Sequence, residues 1–191
     1  MRSTLTRFVL PLTRRTRLAA LALATVASLT SGTVLAAPSY AAGARVVHLT
    51  AFEHRLLSLM NTDRKSQGLH PLTVAACAED FARQWTQTMA RRDLLEHNPA
   101  LKQLWSKRLC RNASTLAENI GVAGTDADSL FAAYMASPQH RANILNPRLR
   151  YVGIGSWQLS DGSVFNTVDF SNGGSPAYVK VRHLGQGLST P

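Results

Sequence analysis

Val152-Gly153-Ile154-Gly155-Ser156-Trp157, then Asp161-Gly162, then Val164, Val168 and Phe170 in alternation, is the stretch whose reading decides the fold. Its first part reads as a strand in which Gly153 and Gly155 leave room for close packing on one face. Asp-Gly is a hairpin turn signal. The even spacing of Val164, Val168 and Phe170 puts them on one face of the returning strand. Everything helical lies upstream of this hairpin. Helices that precede strands, instead of alternating with them, predict an α+β protein with an antiparallel sheet flanked by helices, and argue against a doubly wound parallel sheet.

Working outward, Thr50-Ala51-Phe52-Glu53 is a capping box, followed by Phe52, Leu56, Leu57 and Met60 at helical spacing and by Gly68 as a stop. A second helix is expected from about Val74, with Ala78, Phe81, Trp85 and Met89 as its apolar stripe. Residues 91–125 read as irregular, and a run that long usually lines a site or holds short elements. Asp126 or Asp128 can cap a third helix through Met135. Ser137-Pro138 opens a short fourth one, serine fitting the N-cap and proline the first turn, and Asn146-Pro147 closes it. Beyond Gly174 the pattern fades, leaving an edge strand over Ala177–Val181 and a loose tail within residues 175–191.

The first forty residues have a different character. Arg2, Arg7, Arg14, Arg15 and Arg17 precede an uncharged Leu/Ala/Val stretch, and no acid appears before Glu53. A basic start, a short apolar core and small residues at its end describe a secretory signal over residues 1–41. Ala36 and Ala41 both fit the cleavage pattern, with Ala41 preferred. A permanent span is the weaker reading, because Thr25, Ser28, Thr30, Ser31 and Gly32 interrupt the stretch. Arg14-Arg15 is a poor twin-arginine match, since Arg17 stands where an aromatic residue is usual. Residues 42–48 read as an unstructured lead-in.

The chain carries 21 basic and 11 acidic residues, a net charge of +10, and loss of the five signal arginines halves that excess. Much of the basicity is therefore an export device and not a nucleic-acid footprint. Arg91, Arg92, Lys102, Lys107, Arg108 and Arg111 cluster, but read first as a solvated face. The remaining length suits one domain with its own core, expected to be monomeric, with no later segment able to span a bilayer. Cys77 and Cys110 are the two cysteines; in an oxidising compartment an isolated pair predicts a disulfide, two free buried thiols being the alternative.

Three ionisable groups stand out: His97 in Leu95-Glu96-His97-Asn98, Glu118 in Ala117-Glu118-Asn119-Ile120, and His140 in Ser137-Pro138-Gln139-His140-Arg141-Ala142-Asn143-Ile144-Leu145. Taken singly, each has an ordinary structural explanation. His140 falls in the first turn of its helix, where the dipole disfavours the imidazolium and keeps the ring in the form that accepts a proton or a metal.

Together, and in this order, these three segments resemble the signatures of the CAP superfamily (cysteine-rich secretory, antigen 5 and pathogenesis-related proteins), most nearly its secreted bacterial branch. Asn61 and Arg64 match that branch's Asn-x-x-Arg pattern, and Val152–Gly155 and Asp169-Phe170 resemble its main strands. The likeness spans about Phe52 to Gly173, with the domain placed at 49–174. It implies a three-layer α-β-α sandwich with a small central antiparallel sheet. It also implies a cleft in which His97 and His140 match the two histidines, which in some members bind zinc, and Glu118 matches the first glutamate. Ser137 stands where the second glutamate is expected, Tyr134 where tryptophan is usual and Val168 where glutamine is frequent. The missing carboxylate weakens any two-carboxylate mechanism. The reading is a secreted, non-enzymatic binding module for a lipid, cell-wall or protein ligand, with its cleft at His97, Glu118, Ser137 and His140 and with no obligatory cofactor. The alternative is a zinc-dependent, peptidase-like hydrolase using His97, His140 and Glu118. A third reading makes the cluster a purely structural polar network.

Overall fold

The computed structural model describes residues 46–102 and 113–182. The signal segment, its cleavage site, the end of the tail and Cys110 lie outside the described residues, as does the expected Cys77–Cys110 bridge with them. Ten elements follow in order: β1 (Val46–Thr50), α1 (Ala51–Ser66), β2 (Thr73–Val74), α2 (Ala76–Arg92), β3 (Leu116–Ala123), α3 (Ala127–Ala136), α4 (Pro138–Ile144), β4 (Tyr151–Gln158), β5 (Val164–Ser171) and β6 (Tyr178–Arg182).

The main sheet has the order β2-β4-β5-β3. The three long strands are antiparallel, as the hairpin predicts, with Gly153 opposite Asp169 and Glu118 opposite Asp169 on its other side. Two-residue β2 adds a parallel edge at Val74–Val152, so the sheet is mixed, not purely antiparallel. Val152, Ile154, Val168 and Phe170 point to one face and form a core with Leu56, Met60, Leu130, Tyr134 and Ile144 from α1, α3 and α4. The opposite face packs against α2. A Cβ at Gly153 would sit 2.0 Å from the Ala78 carbonyl carbon, and one at Gly155 would meet the Ala82 carbonyl oxygen at 2.6 Å, so any side chain there pushes helix and sheet apart. The result is the α-β-α sandwich.

That close approach also rotates α2 relative to its expected stripe. Ala78, Ala82 and Thr86 are buried against the glycine track, while Phe81 and Trp85 pack at the flanks of smaller clusters. Glycines on the strand demand small residues on the helix, so the aromatic residues are displaced sideways.

The helix ends follow the local chemistry. Thr50 Oγ1 accepts from the Glu53 N–H at 3.2 Å while the Glu53 carboxylate accepts from the Thr50 N–H at 2.7 Å, closing the capping box. Asp126, and not Asp128, caps α3, accepting from the N–H groups of Asp128 and Ser129. Pro138 opens α4 as expected, but Ser137 makes no capping hydrogen bond through its side chain.

Three expectations need correction. Val46 to His48, within the expected lead-in, belong to β1, which pairs parallel with β6 in a separate two-stranded ribbon. The C-terminal strand therefore joins β1 and not the edge of the main sheet. The third correction concerns residues 91–125. They contain β3, whose polar centre at Glu118 and Asn119 hides the strand: with both faces buried, the apolar–polar alternation that marks a half-exposed strand is missing.

The Asn61/Arg64 pair holds the fold. Asn61 donates to the Leu72 carbonyl at 3.1 Å and accepts from the Leu72 N–H at 2.7 Å. Arg64 is fully buried. It donates to the carbonyls of His70, Ile144, Asn146 and Leu149 at 2.7–3.1 Å. Its charge is thus compensated by carbonyl dipoles at the C-terminal end of α4, which ties α1 to the helix that carries His140.

Candidate functional site

β3 is the edge strand of the main sheet, and the candidate residues gather on it from both faces. Glu118 points toward the α2 side. There the chain leaving α2 brings His97 Nδ1 to 2.7 Å from Glu118 Oε1, and the Asn98 N–H donates to the same oxygen at 3.0 Å. Trp85 Nε1–H, donating to the Glu96 carbonyl at 2.9 Å, fixes that turn against α2. On the other face, Asn119 donates to the His140 carbonyl at 3.1 Å, and Asn143 donates to the Glu118 carbonyl at 3.2 Å and to Asn119 Oδ1 at 2.8 Å. The exposed edge of β3 is thereby pinned by α4, and His140 is carried to the same place. Its ring meets buried Tyr134 edge-on, with centroids 5.0 Å apart, and the Tyr134 hydroxyl donates to Asn166 Oδ1 at 3.0 Å.

The two imidazoles are driven in opposite directions. The hydrogen bond to Glu118 raises the His97 pKa above the ordinary imidazole value, helped by the glutamate charge. Burial lowers that of His140, and the charge on His97 lowers it further, so the two rings lie within electrostatic reach of each other. His97 keeps 65 % of its side chain exposed although its Nδ1 edge is held by a carboxylate only 1 % exposed. The Nε2 edge is the one that Glu118 leaves open. The neutral form expected for His140 agrees with the direction found here, with burial as the leading cause.

Asp169 is a site residue that the likeness of Asp169-Phe170 to a main strand announces only as part of a strand. It is 1 % exposed and opposes Glu118 directly across β3 and β5. Burial first, then the nearby Glu118, raises its pKa well above the usual carboxylate range. Among the described residues, no N–H or hydroxyl group donates to Glu118 Oε2 or to either Asp169 oxygen, all of them buried. Only the cross-strand register exposes this pairing, and the register is invisible until residues 116–123 are seen to be a strand. Asn98, Asn119 and Asn143 are likewise legible as parts of motifs, but not as the bonds that assemble the site.

The donor set does not fit zinc. Among the described residues no group of three or more His, Cys, Asp or Glu side chains is placed to hold a metal ion. Glu118 Oε1 is occupied by His97 and Asn98, and Oε2 turns inward. Two imidazoles fall short of the three or four protein ligands usual for zinc. A surface hollow of about 420 Å³ lies along α1 between His54, Asn61, Lys65 and Pro71 and includes neither histidine of the site.

The comparisons with known proteins agree with this architecture. Residues 57–170 match the model of CAP, the cysteine-rich secretory protein family, and the chain belongs to that family. It is 29 % identical over 120 residues to the YkwD protein of Bacillus subtilis (strain 168), covering 61 % of this chain and 46 % of that one. The chain thus spans about half the length of this curated relative. An outer surface protein from Borrelia burgdorferi superposes with a TM-score of 0.58 at 15 % identity, over 64 % of this chain and 92 % of that one. An extracellular protein containing a SCP domain from Bacillus anthracis str. Ames gives a TM-score of 0.53 at 23 % identity, over 63 % and 40 %. At these identities the structural likeness speaks for the fold. No helix among the described residues is long and apolar enough to cross a membrane.

Proposed function

We propose that this chain is an exported CAP domain whose β3-edge cleft, formed by His97, Glu118, Ser137 and His140, binds an extracellular lipid, cell-wall or protein ligand without catalysing a reaction. The observation that carries the reading is the split of the two histidines around a single buried carboxylate. One imidazole is fixed by its Nδ1 edge and offers Nε2, and the other is kept neutral beside Tyr134. Such a pair presents directed hydrogen-bonding groups on a surface fixed by β3, which suits recognition. A hydrolase would need a nucleophile or bound water beside a base, and Ser137 replaces the second carboxylate that could have served. Export through the removable segment 1–41, and a Cys77–Cys110 disulfide formed after it, belong to the same proposal.

The test is co-sedimentation of the mature chain with isolated cell-wall sacculi and with phosphatidylglycerol vesicles, wild type against the double variant His97→Ala/His140→Ala. The wild type is expected to pellet with one of them. The variant, with an unchanged melting temperature, is expected to stay in the supernatant. Binding that ignores the substitutions would sink the proposal, as would turnover of a defined peptide or ester that His140→Ala abolishes.

A further inference from the structure

Glu118 and Asp169 sit opposite each other on neighbouring antiparallel strands, under α2 and buried. The backbone places their side chains on the same face of the sheet, and Gly153, the other neighbour of Asp169, contributes no side chain to the gap. Between them the two carboxyl groups have three buried oxygens that receive nothing from any N–H or hydroxyl group of the described residues. A buried acceptor without a donor is strongly unfavourable, and two adjacent carboxylates cannot both be ionised in such a place. A single proton between them removes the double charge and turns two of the three oxygens into a donor and its acceptor, leaving one Asp169 oxygen without a donor.

The hydrogen bonds say which group holds that proton. Glu118 Oε1 accepts from the Asn98 N–H and from His97 Nδ1, and both bonds favour the carboxylate form. Asp169 has no such support. The charged and titratable groups that face it are Glu118 from β3 and Glu79 from α2, both acidic. Arg83 of α2 is committed to Glu79 and Glu53.

We propose that Asp169 is a carboxylic acid that donates its proton to Glu118 Oε2 and so acts as a positioning residue of the cleft, holding Glu118 ionised and turned toward His97. The three groups form a chain of acid, carboxylate and imidazole. It fixes the proton of His97 on Nδ1 and leaves Nε2 as the edge that meets a ligand. Asp169 itself touches no ligand. Its importance for recognition rests on the reading of this cleft as the binding site, whereas the shared proton is measured without any ligand, so the two can fail separately.

The first measurement is made on the wild-type full chain. Infrared spectroscopy at about pH 8, above the range in which Glu79 holds a proton, is expected to show the carbonyl band of a protonated carboxyl that shifts in heavy water. The band should survive Glu79→Gln and vanish in Asp169→Asn. Its absence from the wild type, or its persistence in Asp169→Asn, overturns the assignment. The second measurement follows the His97 ring by NMR. In Asp169→Asn the amide still donates to Glu118, and His97 should keep its raised pKa. In Asp169→Leu no donor holds Glu118 Oε2, the carboxyl is free to turn away from His97, and the His97 pKa should fall toward the ordinary imidazole value. Equal His97 titration in the leucine and asparagine variants also overturns it. Should the leucine variant fail to fold, the wild-type infrared band still decides.

Discussion

Two pairs of buried acids border the main sheet, Glu53 of α1 with Glu79 of α2 along the outer edge of β4 and Glu118 with Asp169 toward β3, and they are solved in opposite ways. Beyond Val152 the edge of β4 has no strand beside it among the described residues. The N–H groups of Ile154 and Ser156 donate instead to Glu79 at 2.8 Å and Glu53 at 2.9 Å. Arg83 then joins the two glutamates at 2.6 and 2.7 Å and adds a bond to the His48 carbonyl. Donors of the backbone and one cation leave this pair fully used, and it fastens β1, α1, α2 and β4 together. Toward β3 no described cation stands between the acids, and three oxygens are left over. The first pair is closed and structural. The second is incomplete on its own, and the surplus acceptor capacity lies directly behind the exposed histidine.

The largest effect should come from breaking the closed pair. Arg83→Leu leaves two carboxylates, 0 % and 2 % exposed, without their cation, and is expected to lower the unfolding free energy by about 3 kcal/mol in urea titrations. Adding Glu79→Gln should recover part of that loss. Full stability in the single variant would mean that the β4 edge bonds suffice alone.

A smaller effect separates the pairs by pH. Burial pushes the Glu79 carboxyl up to about 7 from the ordinary 4.5. A raised folded-state pKa means that the native state binds more protons than the unfolded chain between those limits. The stability from Glu79 is therefore complete below about pH 4.5 and lost as pH rises to about 7, by roughly 3 kcal/mol. Asp169 is raised by burial and shares this sign. His97, raised by its bond to Glu118, contributes stability that is lost only above the ordinary imidazole range. His140, lowered by burial, acts oppositely and loses its contribution as pH falls below 6.5. Urea midpoints across this range should fall in the wild type and flatten in Glu79→Gln. An unchanged slope in that variant would assign the whole dependence to Asp169 and the histidines.

The smallest effect is the control. Arg55 and Asp128 form an exposed bidentate pair, with 54 % and 49 % of their side chains open to solvent. Such pairs contribute little, and Arg55→Ala should leave the melting curve unmoved.

How much of this was legible follows from where the information sits. The hairpin, the capping box and the Ser137-Pro138 helix start are local, set by neighbours in sequence, and they read correctly. Gly153 and Gly155 announced close packing, but not that it would turn Phe81 and Trp85 aside. The motif residues His97, Glu118 and His140 could be named from resemblance, whereas their geometry depends on Asn98, Asn119 and Asn143 bonding across long separations. Asp169 lay in a strand that the alternation already marked, but its role was hidden, because the carboxyl it faces is known only once its partner across the ladder is known.

The ribbon of β1 and β6 sets a condition on when the molecule can be finished. Val47 and Leu49 are buried, yet β1 finds its hydrogen-bonding partner in β6, near the far end of the described chain. Contacts of such long reach form late and slowly. As the chain is made, β1 must wait, unpaired, until β6 has followed about 130 residues later. A nascent chain halted short of residue 178 would be caught without its clasp.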